Sequence, residues 1–215
     1  MKKLLQKAGI LALVLSLTGC FKMRMNVDVK SDATYTGSYT VLMKESMLTI
    51  GGGTSDEALE QMAEQFKKDD PEAEVEIVKE GEGEDAFAGV KVSKLPADSV
   101  KVTKNDNVIT LEMDLSDMQN TITEDPEVSS MGLSIASLKE YGAEAVITVN
   151  MPGKPEANTG TVEGNRVTVD LLEANEKTLT VTCKAGLPKA AKIGLGIAGA
   201  LAVVLVVLLA LKKKK

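Results

Sequence analysis

Apolar and polar residues alternate through most of the chain between residues 21 and 188. Met23, Met25, Val27 and Val29 interleave with Arg24, Asn26, Asp28 and Lys30, which predicts a strand with one buried face. Ser31-Asp32-Ala33-Thr34 is turn chemistry, and Tyr35, Gly37, Tyr39 and Val41 resume the alternation. The first two strands therefore read as a hairpin. After Gly51-Gly52-Gly53 the period changes. Thr54 stands three residues before Glu57 as a capping box, and Leu59, Met62, Ala63 and Phe66 follow at helical spacing. Asp69-Asp70-Pro71 stops that helix.

Val75 and Ile77 begin another strand, interrupted by the acidic, glycine-punctuated residues 80–85, and Phe87 opens the next alternating run. Residues 100–103 and 108–115 flank Asn105-Asp106-Asn107, whose side chains tolerate positive φ and suit a tight hairpin. Residues 116–131 have weak periodicity and read as loop. Ile135, Leu138 and Tyr141 predict a short helix ended by Gly142, and Ala145, Ile147 and Val149 a strand stopped at Pro152-Gly153. Residues 159–162, 167–171 and 179–183 read as a three-stranded meander. The fold class expected is α+β: a mainly antiparallel β-sheet of eight or nine strands with two helices packed on one face.

The two ends of the chain follow different rules. Lys2, Lys3 and Lys7 precede an apolar run at residues 8–17, and small residues precede Cys20. This is a signal-peptide pattern, too short to span a bilayer stably. Leu17-Thr18-Gly19-Cys20 resembles a bacterial lipobox. That resemblance implies removal of residues 1–19 and a diacylglycerol thioether on Cys20, since a thiolate is the side chain nucleophilic enough to take the lipid at neutral pH. At the other end, residues 193–211 are 19 residues without a charge. At 1.5 Å per residue they cover roughly 28 Å, enough for a C-terminal transmembrane helix. Lys212, Lys213, Lys214 and Lys215 then predict a cytoplasmic basic tail, residues 212–215. The expected layout is a signal peptide (1–19), an extracytoplasmic domain (20–188), the span (193–211) and the tail. The expected location is the cell membrane, with the domain outside.

Charge sharpens this picture. All 31 acidic residues fall within residues 21–188, which hold 16 basic ones and a net charge of −15 against −6 for the whole chain. Such a domain is repelled by nucleic acid, so no nucleic-acid partner is expected. With Cys20 consumed by lipid, Cys183 has no partner for a disulfide. Its place in the alternation Leu179, Val181, Cys183 makes it a small buried hydrophobe.

Catalytic chemistry finds little support. The chain has no histidine, which removes the commonest general base and metal ligand. It carries no nucleophile elbow, no Ser-x-x-Lys dyad and no Cys/His zinc spacing. Gly51-Gly52-Gly53 lacks the Lys and Ser/Thr of a phosphate loop. Glu82, Glu84 and Asp85 sit between glycines, on loop positions where burial cannot raise a carboxyl pKa, and they lack the ligand spacing of a calcium loop. No catalytic residue, cofactor or metal is assigned, and the protein is expected not to be an enzyme.

The layout resembles the LppM-like bacterial lipoproteins. The resemblance rests on Leu17-Thr18-Gly19-Cys20, the strand at residues 23–30, Ser31-Asp32-Ala33-Thr34-Tyr35 and the helix after a glycine-rich break. It extends to Gly164-Asn165-Arg166-Val167-Thr168-Val169, Leu179-Thr180-Val181 and the C-terminal apolar stretch with its basic tail. It implies an extracytoplasmic domain held at the plasma membrane, with a role in binding lipid or glycolipid. Nine methionines in the domain, Met43, Met47, Met62, Met113 and Met118 among them, suit adaptable apolar contacts. The alternative expectation is an accessory subunit that binds another envelope protein.

Overall fold

The computed structural model describes residues 21–49, 53–95, 99–116, 118, 135–140 and 142–185. Strand β1 (Phe21–Val29) turns into β2 (Tyr35–Lys44), which is followed by a single helical turn, α1 (Glu45–Leu48). Helix α2 (Ser55–Asp69) leads to β3 (Glu74–Glu80), a 3-10 turn at Gly83–Asp85 and β4 (Phe87–Ser93). Then come β5 (Lys101–Asn105), β6 (Val108–Asp114), α3 (Ile135–Glu140) and β7 (Glu144–Asn150). The last four strands are β8 (Pro155–Ala157), β9 (Thr161–Glu163), β10 (Arg166–Asp170) and β11 (Thr178–Lys184).

These strands form two sheets, ordered β3-β4-β2-β1-β7-β10-β9 and β5-β6-β11-β8. Register explains how the alternation becomes a core. Met25 lies opposite Tyr39 and Ile147, Tyr39 opposite Val92, and Val27 opposite Val149, which faces Val167. One face of the larger sheet is thus continuously apolar. Ile109, Leu111, Leu179 and Val181 of the smaller sheet join Val27, Ile147, Val149 and Val167 in one buried cluster. Each such side chain contributes about 1.5–3 kcal/mol by leaving water. The two inner faces pack as a sandwich.

Helix α2 covers the rest of that face, over β3 and β4. Its capping box is complete: Thr54 Oγ1 accepts from the Glu57 N–H at 3.2 Å, and Glu57 Oε2 accepts from the Thr54 N–H at 2.9 Å. Leu59 and Ala63 are buried, and Phe66 meets Tyr39 edge-on with ring centroids 5.9 Å apart.

The expected α+β layering with two helices on one face is therefore corrected. The domain is mostly β, two sheets packed face to face, and α2 alone covers a broad strip of sheet. Helix α3 is six residues long and α1 four. The meander is corrected as well: β9 and β10 pair, but β11 belongs to the second sheet. The C-terminal transmembrane helix expected at 193–211 lies outside the described residues. Among those described, no helix is long and apolar enough to cross a membrane. Cys20, the residues 1–19 and the tail 212–215 also lie outside them. Cys183 is buried, as its position in the alternation predicts.

The described domain begins and ends at opposite poles. Phe21 pairs with Met43 at one end of β1. At the other end, Lys104 Nζ donates to the Ser31 carbonyl in the β1–β2 turn at 2.8 Å. The Ala185 N–H donates to the Asn107 carbonyl at 2.6 Å, in the β5–β6 turn beside Lys104. Nine residues of β1 separate these poles by about 27 Å.

Candidate functional site

Among the described residues, three open clefts stand out. One, of about 440 Å³, lies beside Val108, Pro155 and Lys184 at the end where the chain leaves. A second, about 510 Å³, lies between Tyr35, Glu74, Lys94 and Leu95. Here Lys94 holds φ +113 while its N–H donates to the Gly37 carbonyl at 2.9 Å. A Cβ on Gly37 would sit 2.3 Å from Leu95 Cδ1, so the close approach requires glycine.

The third cleft, also about 510 Å³, gathers three threonines and three carboxylates. It is a notch in the sheet edge. β9 pairs with β10 only as far as Thr161 opposite Thr168, so among the described residues no strand lies beside Val169 and Asp170 on that side. Gly160 closes the top of the notch at φ +90, and a Cβ there would lie 2.5 Å from the Thr168 carbonyl. Thr159, Thr161 and Thr168 bring hydroxyls, Glu163, Asp170 and Glu173 bring carboxylates, and Val169 and Ala174 bring an apolar floor. Lys139 Nζ reaches in from α3 to donate to Asp170 Oδ2 at 2.8 Å and to Glu173 Oε1. Those two contacts raise the Lys139 pKa above its ordinary range. Asp170 Oδ1 also accepts from the Leu172 N–H at 2.9 Å, which fixes its carboxylate.

A further polar network crosses the opposite, solvent-facing side of the larger sheet. Arg24 holds Glu144 through two nitrogens and Glu80 through a third, with Lys22 3.9 Å from the Glu80 carboxylate. Lys22 Nζ also sits 3.9 Å above the Phe87 ring. The Glu144 carboxyl is held below its ordinary range, chiefly by the Arg24 hydrogen bond. Every partner in this network is matched by opposite charge, so it reads as a brace across the strands rather than a reactive centre.

The LppM domain family matches residues 22–185. The chain belongs to that family. The solved folded domain of the LppM protein of Mycobacterium tuberculosis is similar at 14% identity, covering 79% of this chain and 92% of that one, with a TM-score of 0.42. Among curated proteins none matches.

The LppM match covers the described domain and stops at residue 185, so it leaves Cys20 untouched. Within this LppM domain the acidic residues 80–85 do not converge. Glu80 turns toward Arg24, Glu82 is exposed, and Asp85 lies 3.5 Å from Lys44 on a side chain 95% exposed. Among the described residues no group of His, Cys, Asp or Glu is placed to hold a metal. Met43, Met113 and Met151 are buried, whereas Met47, Met62 and Met118 are half-buried. None of these methionines lines any of the three clefts, and neither does α2. Thr161, Asp170 and Glu173 carry no motif in the sequence because they are turn and edge residues with no recurring spacing. Their one visible signal is the Gly160 and Gly164 pair bracketing a short threonine-rich strand.

Proposed function

We propose that this LppM-family chain is a lipid-anchored lipoprotein of the extracytoplasmic face, carrying its diacylglycerol on Cys20. Its domain is a non-enzymatic binding module for glycolipid. The sheet-edge notch takes the sugar headgroup. The observation that carries this reading is the convergence of Thr159, Thr161 and Thr168 with Asp170 and Glu173 above the aliphatic Val169 and Ala174. Fixed carboxylates and hydroxyls accept and donate to vicinal sugar hydroxyls, and an apolar floor matches the C–H face of a pyranose ring. The cleft is too open and too polar to enclose acyl chains, so the hydrocarbon stays in the bilayer.

Native mass spectrometry of the detergent-purified full chain tests the proposal. The expected spectrum shows an N-terminal mass consistent with lipid on Cys20, plus a co-purifying glycolipid lost in Thr161→Tyr. Thr161 is exposed on β9, and tyrosine keeps strand propensity while filling the notch. Absence of bound lipid, or equal retention by the variant, would contradict it.

A second reading, a protein partner in the envelope, is favoured by one observation. Edge strand β3 carries Ile77 at 41% exposure, and among the described residues no strand pairs with its outer side. Strand addition there would appear as a specific crosslink from position 77 in intact cells. Crosslinking no stronger than from exposed Asp114 on β6 would sink that reading.

A further inference from the structure

From the position of Phe21 we infer that the domain rests directly on the bilayer through one defined pole, with no spacer between anchor and fold. The inference rests on the reading of Cys20 as the lipid-bearing residue. Cys20 is covalently adjacent to Phe21, the first residue of β1. Consecutive Cα atoms are about 3.8 Å apart, so the lipid's glycerol cannot lie far from the strand. Phe21 itself has little freedom. It is 4% exposed, part of the core cluster and paired with Met43. A floppy leader would let the domain tumble above the membrane; a strand locked in a seven-stranded sheet does not.

The chemistry of that pole fits lipid headgroups. Lys22 follows Phe21, and Lys44 follows its partner Met43. Both amines are near acids, Lys22 3.9 Å from Glu80 and Lys44 3.5 Å from Asp85. These contacts are long, and the Asp85 side chain is almost wholly solvated, so they are weak and exchangeable for lipid phosphate. Phe87 lies under Lys22, an aromatic and a cation stacked as at a membrane interface. The single turn α1 adds half-buried Met47 and Leu48, with Ser46 and Thr49 exposed beyond them; its Glu45 N–H is fixed to the Ala86 carbonyl at 2.8 Å. The described acids of this end are Glu45, Asp56, Glu80, Glu82, Asp85 and Glu144; Lys79 holds Glu45 and Asp56, Arg24 holds Glu80 and Glu144, and Lys44 lies near Asp85. Lys22 and Lys44 are the cations nearest the anchor, on the residues that follow the paired Phe21 and Met43.

The strand registers then rank the clefts by height. Asp170 is level with Val146 and Arg24, three residues along β1 from Phe21, about 10 Å up. The cleft at Leu95 runs from Ser93, level with Asn26, to Tyr35, level with Val29, about 17–26 Å from the anchor, and the one at Lys184 lies toward the β1–β2 turn. Among these three clefts the notch comes nearest the anchor, at Asp170, and rises to Thr161 and Thr168, level with Asn26 about 17 Å up.

The full chain reconstituted in phosphatidylethanolamine–phosphatidylglycerol vesicles containing headgroup spin-labelled lipid tests this. Single fluorophores are placed at Ser46→Cys on α1 and at Ser31→Cys in the β1–β2 turn, both exposed positions, with buried Cys183 left unlabelled. The expected result is at least threefold stronger quenching at position 46 than at 31. Equal quenching, or stronger quenching at 31, overturns the inference when mass spectrometry shows Cys20 lipidated. An unlipidated Cys20 instead removes the reading on which it rests. The two failures are therefore separable.

Discussion

Arg24 on β1 grips Glu144 on β7 through two hydrogen bonds, Nε to Oε1 at 2.6 Å and Nη2 to Oε2 at 3.0 Å. The residues lie 120 apart in sequence, and the pair spans the parallel pairing of β1 with β7. Planar guanidinium and carboxylate match in two points, which gives direction as well as charge. About a third of each side chain is exposed, so water screens the attraction.

Breaking the pair should cost about 1 kcal/mol. Arg24→Ala is expected to exceed Glu144→Gln, because it removes the hydrogen-bonded cation of Glu144 and of Glu80, leaving Glu80 only the more distant Lys22. A double-mutant cycle followed by urea denaturation measures the coupling. Additive effects would show that the brace contributes nothing.

Acid should expose the same interaction. The Glu144 carboxyl titrates below the ordinary range because it accepts from Arg24, against an opposing effect of burial. A depressed folded-state pKa stabilises fully above the unfolded value, about 4.3 for glutamate, and that contribution is lost as pH falls below it. The difference in Tm between wild type and Glu144→Gln is therefore largest near pH 6 and narrows toward pH 3. A constant difference across that range would contradict the assignment.

Two glycines should respond in opposite degree to alanine. A Cβ on Gly89 would lie 1.9 Å from the Val41 carbonyl oxygen and 2.8 Å from Leu42 Cα, so neighbouring strands must separate. Gly89→Ala is expected to cost about 3 kcal/mol or prevent folding. Gly83, at φ +68 with open space around it, should cost only about 1 kcal/mol. Thermal denaturation separates the two.

Cys183 should be chemically silent in the folded protein. It is buried, and burial pushes its thiol pKa up, against a backbone hydrogen bond from Gly153. Only the thiolate reacts. Alkylation at pH 8 is expected to need denaturant; rapid labelling of the native chain would mean that β11 frays.

The local parts of this fold were legible because each rests on neighbours in sequence. Asp106 adopts φ +54 in the β5–β6 hairpin, Thr54 caps α2 as spaced, and Gly142 takes φ +88 after α3. What alternation cannot say is which strand a buried face will pair with. Leu179, Val181 and Cys183 announce a strand, yet β11 joins β6 across more than 60 residues rather than β10 next to it. The parallel β1–β7 pairing has no local signal at all. Strand β8, three residues from Pro155, is too short to show a period. The notch at Asp170 arises where β9 stops short of β10, a consequence of register that no motif records.

The central claim is that the 159–174 notch holds a glycolipid headgroup at the membrane. Hydrogen exchange of the full chain, reconstituted in vesicles of polar lipids from its own membrane and in plain phosphatidylglycerol vesicles, tests it most directly. The account predicts slower exchange at the amides of residues 159–174 in the native lipids alone, abolished by Thr161→Tyr. Unchanged exchange there, or protection appearing instead around Tyr35 and Leu95, would contradict it.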